Sequence, residues 1–213
     1  MRSAFDKLIS WTGVLVAVVL LIAGGLLTWA NVFIGDQVEQ QFSAQDIVMP
    51  EGEALASLPD ESREALEEFA GSPLDSGPEA KAYADHYIWE HMQAQGAALN
   101  DGEPVTYEEA SAQGRELSAA VAENPNATQA EIDEAQAWMD LRESLFMGNT
   151  LRGLLLYGYA FATMGTIAGI AAIGAFSGGG VLLVLVGLGL WHARRVSQTV
   201  ERPVTPRAVP QTV

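Results

Sequence analysis

Two long uncharged stretches constrain this chain more than any other feature. No Asp, Glu, Lys, Arg or His occurs from Leu8 to Gly35, and none occurs from Gly153 to Trp191. A helix over the first stretch would reach about 42 Å at 1.5 Å per residue, enough to cross a hydrocarbon core of about 30 Å. Trp11 and Trp29 lie about 27 Å apart on such a helix, which sets one indole near each membrane interface. A cleaved signal peptide fits poorly. The apolar run is too long, it continues through Trp29 and Phe33, and Ala30-Asn31-Val32-Phe33 lacks the small-x-small cleavage pattern.

The second apolar block, Leu151 to Trp191, has two readings. A turn at Ser177-Gly178-Gly179-Gly180 would make two spans of it. Otherwise a single span covers 165–192, preceded by an amphipathic helix over 151–164 lying at the outer interface. Charge chooses between them. Arg2 and Lys7 precede the first anchor, and Arg194 and Arg195 follow the last. Basic flanks belong on the cytoplasmic side, so both ends face inward and the number of spans is even. The expected fold is therefore an all-α membrane protein with two transmembrane helices flanking a helical extracytoplasmic domain; three spans is the alternative. The expected order is a cytoplasmic stub 1–8, a transmembrane helix 9–34, an acidic domain 35–150, an interfacial helix 151–164, a transmembrane helix 165–192 and a disordered basic cytoplasmic tail 193–213. The expected location is the plasma membrane, multi-pass.

Interface positions follow from this topology. Tyr157 and Tyr159 mark the outer aromatic belt and Trp191 the inner one. Arg152, the only Lys or Arg between Glu143 and Arg194, sits where the domain meets the membrane. Its guanidinium can bond lipid phosphate or the domain's own carboxylates. Gly165 with Gly169, and Gly174 with Gly178, form two GxxxG pairs that allow close approach of another backbone. Gly24 and Gly25 of the first anchor could supply the complementary surface, or a second subunit could.

The intervening segment is strongly acidic. Between Asp36 and Thr150 stand 25 acidic and 4 basic residues, a net of about −21 within a chain of −16. Such a domain repels nucleic acid, whose phosphates need Lys and Arg to displace counterions. The chain has no cysteine, which excludes disulfides and thiolate sites.

Helix signals are plain in this segment. Residues 36–46 continue the first helix or form a short stalk, and Ile47-Val48-Met49-Pro50 is extended. A short helix is expected over 60–71, starting after Pro59 and stopping at Gly71. A stronger one begins at Pro78 and ends near Gly96. Tyr107 to Glu123 is a third, and Thr128 with Glu131 forms a capping box for the last. Trp138, Leu141 and Leu145 line one face of that last helix.

One cluster has chemical potential: Asp85-His86-Tyr87-Ile88-Trp89-Glu90-His91. His86 and Glu90 stand at i and i+4 on one helix face and are the weak candidates for metal ligation. His91 is about 140° away around an α-helix and points elsewhere. No nucleophile elbow, phosphate loop or dinucleotide fingerprint occurs, so neither a catalytic residue nor a cofactor is expected.

Three stretches carry a resemblance. They are Tyr83 to His91, Pro104-Val-Thr-Tyr-Glu-Glu109, and Ser144 to Phe161 running into Met164 to Ala172. Together they resemble a family of small membrane proteins from high-GC Gram-positive bacteria often labelled "aromatic ring-opening dioxygenase LigA". The resemblance implies a membrane location and an outward-facing helical domain, with no characterised activity. The dioxygenase label is not carried over. Extradiol cleavage needs iron in an open His/carboxylate triad, and His86 and His91 diverge. The expected function is a non-enzymatic scaffold or accessory subunit of a membrane complex in the cell envelope. The alternatives are a metal-dependent enzyme using His86 and Glu90, or a cation-responsive sensor. The expected partners are the lipid bilayer and either another membrane protein or a second copy of the chain.

Overall fold

The computed structural model describes residues 2–200, with side chains described over 8–195. The fold is all-α. Among the described residues, seven α-helices run in order: α1 (Arg2–Ser43), α2 (Glu53–Ala56), α3 (Asp60–Glu67), α4 (Gly77–Ala82), α5 (Trp89–Leu99), α6 (Tyr107–Glu123) and α7 (Gln129–Val200). A π-helical turn, Tyr83–Ile88, joins α4 to α5. No strand occurs among the described residues, only an isolated antiparallel bridge between Val48 and Pro73. The chain forms two compact units, one of residues 1–32 with 166–213 and one of 33–165.

The first unit is a pair of antiparallel helices. Over Leu8–Ser43 and Gln129–Arg195, α1 and α7 are each long and apolar enough to cross a membrane. α7 continues unbroken through Ser177-Gly178-Gly179-Gly180. The turn needed for a third span is absent, because no proline or polar cap interrupts the hydrogen-bond ladder there. Gly and Ala inside a helix are tolerated where another backbone lies close.

The contacts follow a seven-residue repeat. On α1, Ser10, Ala17 and Gly24 are buried, with Asn31 half-buried one repeat further on. On α7, Ala172 and Gly179 are buried and Val186 is half-buried. A seven-residue period keeps one seam of each helix against its partner, as in left-handed coiled coils. A Cβ at Gly179 would stand 3.3 Å from Leu21 and 3.4 Å from the Ala17 carbonyl; one at Gly24 would stand 3.0 Å from the Phe176 ring.

The expected glycine pairs are thus only partly the packing residues. Gly169 lies against Asn31 and Gly178 against Leu20, whereas nothing lies within 4 Å of a Cβ at Gly174 or Gly25. Gly165, in the other unit, is buried. A four-residue spacing drifts off a seam that repeats every seven, which is why Gly179 rather than Gly174 is enclosed.

The second unit has a core of large side chains. Met49, Leu66, Leu74, Leu145 and Leu155 are its largest fully buried residues, joined by Phe42, Leu55, Ile88, Met92 and Leu141. The extended segment at Ile47 to Met49 pairs with the loop after α3: Met49 N–H donates to Ser72 O at 2.8 Å and Leu74 N–H donates to Ile47 O at 2.8 Å. Three capping boxes start α4, α6 and α7. Glu79 accepts from Ser76 N–H at 2.9 Å, Glu109 from Thr106 N–H at 2.8 Å and Glu131 from Thr128 N–H at 2.7 Å. Each satisfies donors that a helix start leaves orphaned.

Boundaries differ from expectation in four places. α3 ends at Glu67, with turns carrying the chain to Gly71. α5 runs through Gly96 to Leu99. Gly96 is not a stop but a contact point, since a Cβ there would stand 2.8 Å from Val105 N. Finally, no break separates 151–164 from what precedes or follows it. The segment expected to lie flat at an interface is an internal part of α7, because its backbone bonds are all made within one helix. α7 also extends past residue 193, so the first part of the expected disordered tail is helical; residues 201–213, and the start of the stub at Met1, lie outside the described residues.

Candidate functional site

The expected His86–Glu90 pair is brought together, but on a third residue that the sequence did not single out. Ser62 of α3 is 3% exposed. Its hydroxyl donates to Glu90 Oε1 at 2.8 Å and lies 3.3 Å from His86 Nδ1. An ionised carboxylate only accepts, so the serine proton belongs to Glu90. The hydroxyl oxygen is then left to accept, and His86 supplies the hydrogen from Nδ1. The chain of donation runs from His86 to Ser62 to Glu90.

That order decides the chemistry. An activated serine nucleophile must give its proton to the histidine, with the carboxylate behind the imidazole. Here serine stands in the middle and its proton points away from the histidine. The arrangement therefore clamps α3 against the π turn and α5. With Nδ1 on Ser62, a metal would have to meet His86 at Nε2, and among the described residues Glu90 is the carboxylate bonded to this cluster. Among the described residues, no group of three or more His, Asp or Glu is placed to hold a metal ion. His91 turns aside, as expected. Its Nδ1 donates to the Tyr87 carbonyl at 2.7 Å, and its ring lies 4.3 Å from that of Tyr87. Glu90 and His91 border an open groove of about 530 Å³ whose other walls include Pro59, Gln93 and Pro104.

The π turn was not expected, and it sets the azimuth of every residue in this cluster. Hydrogen bonds in a π turn reach from i to i+5 and so hold one residue more per turn than an α-helix. Helical wheels drawn at 3.6 residues per turn misplace side chains downstream of it.

A second cluster lies on the same segment. Arg152 of α7 donates from Nε to the Ala84 carbonyl at 2.9 Å and from an Nη to Asp85 Oδ1 at 3.1 Å. Its guanidinium also stacks on the Trp89 ring, 4.6 Å from the centroid. Lys81 bonds the other oxygen of Asp85 at 2.8 Å. Of the two roles open to Arg152, the domain's own groups take it. Burial would raise the Asp85 pKa, but its bonds to Lys81 and Arg152 outweigh that and hold the carboxyl below its usual value.

The aromatic residues expected at the interfaces divide. Trp11, Trp29, Tyr157 and Trp191 are exposed by more than half of their surface. Tyr159 is half-buried instead. Gly77 packs against it, and Lys81 Nζ stands 6.0 Å from its ring centroid. Trp191 carries the Arg195 guanidinium 4.1 Å from its ring.

Glu79 is a third polar centre. It is 9% exposed and accepts from Ser72 Oγ at 3.0 Å, Asp75 N–H at 3.0 Å and Ser76 N–H at 2.9 Å. Burial pushes its pKa up, but the hydrogen bonds together push it further down, below the ordinary 4.5. Asp75 beside it is shifted the other way, by burial first and then by the charges of Glu79 and Glu39. Another groove, of about 660 Å³, opens between α6 and α7 and is bordered by Tyr107, Arg142 and Phe146.

Comparisons of the chain with protein-family models, with curated proteins and with solved structures found no match.

Proposed function

We propose that this chain is an integral membrane protein of the bacterial cell envelope. Both termini are cytoplasmic, residues 36–150 form an acidic extracytoplasmic domain, and the protein acts as a non-enzymatic scaffold or accessory subunit of a membrane complex. The observation that carries the reading is the use made of the polar groups. His86, Glu90, Asp85 and Arg152 are each committed to bonds that hold helices of the domain together, and Glu79 ties the loop before α4 to the start of that helix. A scaffold needs a rigid shape on a fixed anchor, and these bonds supply rigidity. Two helices long and apolar enough to span a bilayer support the anchor, and basic residues at both ends support the orientation. The motif resemblance to the small membrane family of high-GC Gram-positive bacteria points the same way.

The test uses the absence of native cysteine. A cysteine replacing Asn126, exposed between α6 and α7, should react with an impermeant maleimide in intact cells. One replacing Thr212 should react only after lysis. Labelling of the Thr212 site in intact cells would contradict the topology. Purification in mild detergent should recover a stoichiometric polypeptide partner. A tightly bound transition metal that disappears with His86→Ala would replace the scaffold by the enzyme.

A further inference from the structure

The segment from Asp36 to Thr150 holds 25 acidic and 4 basic residues, so a base there without an acid bonded to it is an exception. Arg63 is paired with Asp60, and Lys81 with Asp85. Arg115 is exposed on α6, where water solvates it. Arg142 of α7 differs from all three. It is half-buried, its Nε is wholly covered by protein, and that nitrogen meets no hydrogen-bond acceptor. Among the described residues no ion pair holds its guanidinium, although Asp140 and Glu143 stand two residues and one residue away. Its Nη groups stay accessible. Taking a charge out of water is costly unless it is paired, and an unsatisfied buried donor needs a physical reason.

Arg142 lines the groove of about 660 Å³ between α6 and α7, a size within the range of small-ligand sites. The two helices run antiparallel along it. The Tyr107 and Phe146 rings stand 6.0 Å apart at one end, and Gly114 packs on Met139 further along. At 1.5 Å per residue, Phe146 lies about 6 Å to one side of Arg142, and Gln136 about 9 Å to the other. Asp140 accepts from Gln136 Nε2 at 2.7 Å and so stands toward that second end. Ser118 borders the same end; its hydroxyl donates to Gly114 O at 2.6 Å, which leaves its oxygen able to accept.

This order of groups selects a ligand. A planar guanidinium fork matches a carboxylate. A bare anion fits poorly, because Asp140 and Glu143 share the groove and the segment carries about −21. The ligand must bring a cation together with its carboxylate, and an apolar group for the aromatic pair. A peptide with a free C-terminus has all three. Its last side chain meets Tyr107 and Phe146, its terminal carboxylate meets Arg142, and its backbone leads toward Ser118 and Gln136, where Asp140 receives the ammonium. The 9 Å from Arg142 to Gln136 spans about three extended residues.

We infer that the groove between α6 and α7 binds a short peptide by its C-terminal carboxylate, with Arg142 as the anchor and Tyr107 and Phe146 as the seat of an apolar last side chain. This gives the domain a ligand beyond the scaffold role, and it holds whichever side of a membrane the domain faces.

The test is calorimetric titration of the full-length chain in nanodiscs with the tripeptide Lys-Ala-Phe, with its C-terminal amide and with inorganic phosphate. The free acid should bind at least tenfold more tightly than the amide, and phosphate should not compete. Arg142→Gln should bring the acid down to the affinity of the amide while leaving the amide unchanged. An arginine that makes no bond within the chain can be replaced without loss of stability, so the Tm of Arg142→Gln should equal or exceed that of wild type. A clearly lowered Tm would make Arg142 a structural residue and overturn the assignment. On the wild-type protein, equal binding of acid and amide, no binding of either, or competition by phosphate would each overturn it as well.

Discussion

The two compact units hold their helices together by different means, and α7 takes part in both. In the unit of residues 33–165 it contributes Leu141, Leu145 and Leu155, large side chains buried against other large side chains. In the other unit it contributes Ala172 and Gly179, set against Ser10, Ala17 and Gly24. The difference fits the proposed placement of one unit in water and the other in lipid. In water, burial of a leucine is itself the driving force, about 25 cal/mol per Å² removed from solvent. In lipid the tails are as apolar as leucine, so only close approach and dispersion favour one helix over its surroundings. On the proposed placement, large residues would mark an aqueous core and small ones a membrane seam.

Four measurements on the full-length protein in nanodiscs would break or sharpen this contrast. The largest effect is expected from Leu145→Ala. A 1% exposed leucine lost to a cavity should cost about 2–5 kcal/mol, read as a lower Tm of the domain transition in calorimetry. A loss below about 1 kcal/mol would mean the domain core is not packed as described. Next comes Gly179→Leu. It should cost about 1–3 kcal/mol by overpacking, followed by steric-trap unfolding of the helix pair, while Gly174→Leu should be silent because its surroundings are open. Equal responses would place the seam elsewhere.

Third, Glu79→Gln should cost about 1–3 kcal/mol, the usual worth of hydrogen bonds to a charged group. The pH dependence has a definite sign. A carboxyl with a depressed pKa stabilises the fold fully above its unfolded value of about 4.5, and the contribution is lost as pH falls through the lower folded value. Asp75, raised above 3.8, opposes this by favouring the fold once it is protonated. An acid titration of wild type against Glu79→Gln should show the two stabilities converging below pH 4.5. Parallel curves would rule out Glu79 as the source. The smallest effect is expected from Arg152→Lys. The charge stays, but the fork that reaches both Ala84 O and Asp85 is lost, along with the planar stacking on Trp89. About 1 kcal/mol is expected, seen as faster proteolysis between Asp140 and Arg152. Unchanged cleavage would show that charge alone suffices there.

Much of this architecture could be read from residue order. The apolar runs, the acidic segment, the helix over 107–123 and the Thr128–Glu131 cap depend on local periodicity and local hydrogen bonds, and the structure contains each of them. The residues that were not legible depend on partners distant in sequence. Ser62 is an ordinary mid-helix serine until α3 lies against His86 and Glu90. Gly96 reads as a helix stop until Val105 is seen to need its space. The setting of α7 was hidden in another way, because sequence alone did not reveal that Arg152 turns to Ala84 and Asp85. Asp85 with Lys81 was visible as an i, i+4 pair, and it was the one available hint that the segment serves an ion-pair network.

The π turn at Tyr83–Ile88 has a consequence for reading related chains. It carries one residue more than α-helical winding requires. Deleting any single residue there would restore an ordinary ladder without shortening a loop or exposing the core of α5. Because the π turn absorbs its extra residue, such a deletion would leave Trp89 facing Arg152 and Glu90 facing Ser62, whereas a deletion in an α-helical stretch would turn everything after it by about 100°. A lone gap at this point of an alignment would therefore record the loss of the π turn with both docking contacts kept.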